Sequence, residues 1–166
     1  MSGGASSWSF REEVSRRIET VLAGFLRESN ARTALIVDRT GQLVATVGEP
    51  PTFDPTAFAS LTAADFSAND QLARMLGEPE FGALFHQGER ESMYLADVAR
   101  RVILVVLFDN RTTLGLVKLR VKGAVGELNR LFTAMFDGGA AGRRGSEVES
   151  GFVGDAEDEI DKLFGA

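Results

Sequence analysis

Apolar positions at helical spacing open the chain. Phe10, Val14, Ile18, Val21, Leu22 and Phe25 recur every three or four residues, with Arg and Glu between them, which predicts an amphipathic helix over 8–28. Ser9 stands where a cap belongs, and Glu12 three residues on completes a capping-box pattern. The period then changes. Residues 33–38 form a short, apolar, β-branched run that predicts a buried strand, and 42–47 predict a second one. Thr40-Gly41 between them suits a tight turn, so the two strands are expected to form a hairpin. Pro50 and Pro51 close it, because proline cannot donate to a strand ladder.

Asp54 followed by Pro55 marks the next helix start, a capping carboxylate before a residue whose φ is already helical. This helix is expected over 54–77, ending where Gly77 can turn left-handed and Pro79 blocks continuation. Three strand-like runs follow at 81–87, 92–99 and 101–109. The short break at Gly88-Glu89-Arg90 argues for an antiparallel meander. Residues 102–108, Val-Ile-Leu-Val-Val-Leu-Phe, show no alternation and so predict a central strand covered on both faces. Helical spacing returns over 112–136 through Leu114, Val117, Val121, Val125, Leu128, Leu131, Phe132 and Met135. The expected class is α/β (α+β), one five-stranded antiparallel sheet between helices in the order αββαβββα.

Three stretches are expected: a domain over 1–136, a flexible Gly-rich linker over 137–151, and an acidic amphipathic peptide over 152–166. The peptide carries an apolar patch of Ile160, Leu163 and Phe164. Within it, Asp155 to Phe164 reads as a short helix with Asp155 as its cap; ten residues do not hold a helix alone in water, so any order there must come from docking.

Composition narrows the function classes. With 44% hydrophobic residues in 166, one sizeable core is available. No cysteine occurs, which removes disulfides, thiolate metal sites and a cysteine nucleophile. From Asp137 on, eight acids and three bases supply −5 of a formal −6, leaving only −1 for 1–136. A near-neutral body with an acidic tail does not neutralise phosphates, so no nucleic-acid partner is expected. The small, polar N-terminus has no leader pattern, and the longest apolar run is far below the roughly 20 residues a membrane span needs. A soluble cytoplasmic protein without membrane insertion is the expectation.

Catalytic patterns are scarce. No G-x-x-x-x-G-K-[ST] loop is present to cradle a triphosphate. His86 is the only histidine and sits at a strand end, better placed as an edge residue than as a catalytic base. Asp38, Asp97 and Asp109 fall at strand ends, where carboxylates usually hold turns. The tail acids Asp155, Glu157, Asp158, Glu159 and Asp161 lack the glycine pivot and final Glu of a calcium loop. Arg111, in an Asp-Asn-Arg turn, is the one arginine-finger candidate, with a plain turn residue as the alternative. Lys118 and Lys122 share a helix face with Arg111 and Gly115, either as solvated charge or as a seat for an acidic partner, including the molecule's own tail. No catalytic, cofactor or metal residue is assigned.

The 54–77 helix is more informative. Ala57, Ser60, Ala64, Ser67 and Gln71 fall on one stripe, small and weakly polar. Phe58, Leu61, Ala68, Leu72 and Met75 fall on the adjacent one, expected to face the core. The first stripe is either a quiet solvent face or a surface that another backbone can approach closely.

Several segments resemble one family. These are Phe85-His86-Gln87-Gly88, Ser92-Met93-Tyr94, the continuous run from Arg101 through Phe108-Asp109-Asn110-Arg111-Thr112 to Val117, Leu35-Ile36-Val37-Asp38 with Gly41-Gln42-Leu43, the Ala59-Ser60-Leu61-Thr62-Ala63 stretch, and the Asp158-Glu159-Ile160-Asp161-Lys162-Leu163-Phe164 ending. Together they resemble the Roadblock/LC7 family, with its longin/profilin-like fold, and within it a bacterial branch that regulates a Ras-like GTPase of the MglA type. The resemblance implies a homodimer joined edge to edge, whose paired central helices seat one GTPase in a 2:1 complex. It further implies GTPase activation without an arginine finger, in control of cell polarity or motility, with concentration at a cell pole. The implied contacts are Ser60, Ala64, Ser67 and Gln71, with Ile160, Leu163 and Phe164 as a separate contact that aids nucleotide exchange. GTP and Mg would belong to the partner, so no cofactor is expected here. A noncatalytic Roadblock scaffold or adaptor is the alternative.

Overall fold

The computed structural model describes residues 3–141, with side chains from 12 to 134. Its elements are α1 (Gly3–Ser29), β1 (Thr33–Asp38), β2 (Leu43–Gly48), α2 (Pro55–Met75), β3 (Ala83–Gln87), β4 (Ser92–Val98), β5 (Val102–Phe108) and α3 (Leu114–Ala141). The predicted order αββαβββα is the observed one. Every sheet pairing is antiparallel, and the strands lie in the order β2-β1-β5-β4-β3.

Alternation along the central strands builds two separate cores. Ala34 and Ile36 of β1, with Val102, Leu104 and Val106 of β5, face α1 and α3. There they pack against Ile18, Leu22, Val117 and Leu128. Leu35 and Val37, with Ile103 and Val105, face the other way onto Ala59, Ala63 and Phe66 of α2. All six residues of β1 are buried, and so are six of the seven in β5. The unbroken apolar run at 102–108 therefore reports the central strand it predicted.

Turns and ends follow local chemistry. Asp38 holds the β1–β2 turn: its Oδ1 accepts from the Thr40 and Gln42 amides, each at 2.9 Å, and from the Thr40 hydroxyl at 2.8 Å. Gly48 ends β2 at φ +103, where a Cβ would sit 2.3 Å from the Arg32 carbonyl oxygen, so only glycine fits. The β4–β5 turn is less obvious. Ala99 and Arg100 sit at φ 55 and 58, both left-handed, in a three-residue connection between the paired Val98 and Val102, where the Arg101 amide donates to the Val98 carbonyl at 3.1 Å.

Three expectations need correction. Ser9 does not cap α1: the helix already includes Gly3, because no proline stops the preceding residues. Phe81 lies outside β3, which starts at Ala83. α3 continues to Ala141, five residues into the span expected to be linker, since each glycine there weakens a helix by about 1 kcal/mol without ending it. The rest of the linker and the 152–166 peptide, with Ile160, Leu163, Phe164 and the tail acids, lie outside the described residues.

Candidate functional site

The outer surface of α2 is where the fold departs most from a quiet exterior. The helix starts as its sequence dictates, with Asp54 Oδ1 accepting from the Thr56 amide at 3.0 Å and Pro55 in the first turn. Its buried residues are Ala59, Thr62, Ala63, Phe66, Asn69 and Ala73. That corrects the expected core stripe. Leu61 is 71% exposed, Leu72 55% and Met75 82%, with Leu76 just beyond at 73%, and Ala68 is exposed too. The helix is turned so that Phe66 and small alanines meet the sheet, which allows close approach of backbone to strands.

An ionic cluster fixes that rotation. Arg39, just past β1, reaches Asp70 of α2 at 2.9 Å and Asp97 of β4, and its guanidinium lies 4.8 Å from the Phe66 ring centre. One arginine thus ties the helix to the sheet from beneath.

Two stripes remain outward. Ser60, Ala64, Ser67 and Gln71 are all exposed and share one flank. On that flank α2 approaches the β1–β2 turn, since a Cβ on Gly41 would lie 3.1 Å from the Ser60 Cα. The other flank carries Leu61, Ala68 and Leu72, together with Asp65, which is one turn from Leu61. Asp65 Oδ2 meets His86 Nε2 of β3 at 2.6 Å. The apolar stripe therefore lies toward β3, the edge strand of the sheet. His86 is an edge residue paired with an acid, as its position suggested.

The remaining candidates act on structure. Asp38 holds its turn. Asp97 binds Arg39 and accepts from the Arg100 amide. Arg111 is held by Asp109 at 3.0 Å and by Glu49 at 3.1 Å. Hydrogen bonds from Arg111, and for Glu49 first from Arg32, lower both carboxyls below their ordinary values, while the two carboxylates raise Arg111. These contacts hold Arg111 at the turn that follows β5. Among the described residues no group of three or more His, Asp or Glu converges as a metal site, and none of the described helices is long and apolar enough to cross a membrane.

Sequence reasoning missed the exposed leucines. The signal was Phe66, a large aromatic in mid-helix that belonged to neither assigned stripe.

A family model described as Roadblock/LC7 domain matches residues 17–108. Myxococcus xanthus MglB is 44% identical with a TM-score of 0.68, over 70% of this chain and 95% of that one. The gliding protein MglB from Thermus thermophilus is 36% identical with a TM-score of 0.67, over 71% and 90%. An MglB with a tetrameric arrangement is likewise 36% identical, with a TM-score of 0.67, over 71% and 89%. A Roadblock/LC7 domain from Streptomyces avermitilis, 11% identical with a TM-score of 0.62, shares the fold. Among curated proteins none matches.

Proposed function

This chain belongs to the Roadblock/LC7 family, and from that premise we propose that it is a homodimeric regulator that binds a bacterial Ras-like small GTPase of the MglA type and accelerates its GTP hydrolysis. The observation that carries this reading is the outward face of α2, with an apolar stripe toward an open sheet edge and a small polar stripe beside it. Two copies joined through β3 would continue the sheet and cover the edge. The same approach would bring Leu61, Ala68 and Leu72 of both helices together, removing exposed apolar area worth about 25 cal/mol per Å². The stripes of Ser60, Ala64, Ser67 and Gln71 would then lie side by side as a platform for a single GTPase, a 2:1 complex. A neighbour that forms an oligomer, the MglB with a tetrameric arrangement, supports self-association.

Activation here needs no catalytic residue from the regulator. Binding energy spent on the hydrolysis-competent arrangement of the GTPase switches shifts their population and positions the GTPase's own groups. GTP and Mg stay with the partner. The bound state of Arg111 supports this indirect route. In this reading Ile160, Leu163 and Phe164 form a separate contact that aids nucleotide exchange, and the protein works in the cytoplasm, concentrated at a pole.

The test is phosphate release from the Ras-like GTPase with and without the purified chain. A rise in rate that is lost in Ser67→Arg/Gln71→Arg supports the proposal. Binding without any rise leaves a noncatalytic scaffold instead. Leu61→Asp/Leu72→Asp, at exposed positions, is expected to leave the fold within about 0.5 kcal/mol of the parent while producing a monomer by light scattering. A dimer unchanged by those substitutions removes the apolar stripe from the interface.

A further inference from the structure

On the face opposite α2, helices α1 and α3 leave a groove of about 160 Å³ between them. Val21, Gly24, Phe25, Leu119 and Gly123 give it an apolar floor and rim. Two features hold it open. A Cβ on Gly123 would meet nothing within 4 Å, and one on Gly24 would meet only the Arg27 side chain, at 3.7 Å. Leu119 on its rim is 61% exposed. The proposed platform on α2 does not use this face.

We propose that the acidic peptide 152–166 docks in this groove of its own chain, seating Ile160, Leu163 and Phe164 against Leu119, Gly123 and Gly24. The peptide carries five acids and one base, net −4. The groove is bordered by two bases, Arg27 and Arg120, and by two acids, Glu28 and Glu127, of which Glu28 faces Arg120 at 3.7 Å. A balanced border leaves the apolar patch to carry the seating.

Reach favours the match. Eighteen residues separate Gly123 from Ala141, where α3 ends, a span of about 27 Å along a helix. The eighteen residues 142–159 cover about 23 Å as a flexible coil and about 60 Å extended. The peptide returns along the helix it follows without strain. A tether of that length holds it near millimolar effective concentration, so even three apolar side chains suffice for occupancy. A peptide seated there is withheld from other proteins until one competes for it.

The chain has no cysteine, so two can be introduced and spin-labelled. The doubly labelled full chain Arg16→Cys/Ala166→Cys, diluted into unlabelled chain so that each dimer carries one labelled copy, is expected to show one narrow distance. It is expected to broaden fully in Leu119→Asp and in Leu163→Ala/Phe164→Ala. A broad distribution in the parent, or a narrow one that survives both sets of substitutions, overturns the proposal. Loss of the narrow distance on mixing with excess unlabelled chain assigns the groove to a second copy's peptide and also overturns it. No GTPase is present in the measurement, so its failure leaves the proposed regulation standing, and failure of activation leaves the docking standing.

Discussion

Replacing Arg39 with alanine removes the tie that fastens α2 to the sheet. In the parent, one guanidinium faces Asp70 and Asp97 and covers the Phe66 ring. The three charged side chains are 31%, 23% and 20% exposed, so they are mostly but not fully withdrawn from water. Removing one partner from a fully buried set costs about 3–5 kcal/mol, because the opposite charges are stranded. With a fifth to a third of each group still wet, about 2–3 kcal/mol is the appropriate figure, the lost ring contact included. A loss of that size lowers the melting temperature of a chain of this length by about 5–10 °C. Urea unfolding measures it directly, since the midpoint falls while the slope stays constant. The reasoning assigns most of the loss to stranded carboxylates and so predicts rescue. Arg39→Met/Asp70→Asn/Asp97→Asn should stand above Arg39→Ala by more than about 1 kcal/mol. An Arg39→Ala chain as stable as the parent, or a triple variant below the single one, refutes this account of the cluster.

Acid should loosen the opposite end of the molecule in a way that depends on Arg111. Glu49 and Asp109 titrate below their ordinary values of 4.5 and 3.8 because Arg32 and Arg111 bind their charged forms. A lowered folded-state value means stability fully present above those ordinary values and lost as pH falls through the lowered ones. Urea midpoints should therefore fall with acidification below about pH 4.5, and Arg111→Gln should flatten that fall; an identical slope in the variant would contradict it. At the β4–β5 turn, Ala99→Asn/Arg100→Gly places residues that accept positive φ where the backbone already has it. It is expected to raise stability by about 1 kcal/mol, read as a higher urea midpoint, and a lower midpoint would show the turn is not strained.

Element order was legible because periods of 3.6 and 2 alternate cleanly, and because Asp54-Pro55, Gly41 and Gly77 punctuate them. The fully buried β5 was legible from its unbroken apolar run. The β4–β5 turn was not signalled by its residues, since Ala99-Arg100 is chosen against by local preference and held by pairing on both sides. The rotation of α2 was misread for a related reason. Its outer face is nearly as apolar as its inner one, so a helical wheel alone has two candidate cores. Only the contacts of Phe66 with the sheet and the Arg39–Asp70 pair decide between them, and both join distant parts of the chain. The stripe of Ser60, Ala64, Ser67 and Gln71 was legible as a surface, because small polar residues at helical spacing have no core to fill.

The alternation along β1 and β5 has a consequence for how this molecule can change. A substitution at Leu35 or Val105 alters the seat of one helix, whereas a change at Ile36 or Leu104, one step along the same strand, alters the seat of the other two. The backbone between them is shared, yet the volumes being filled are not. Partner recognition can drift on one side of the wall while the opposite side keeps the chain folded, much as a façade is rebuilt on a standing frame. Amide exchange should expose the same division as two sets of rates, with slower exchange in the strands that both sides enclose.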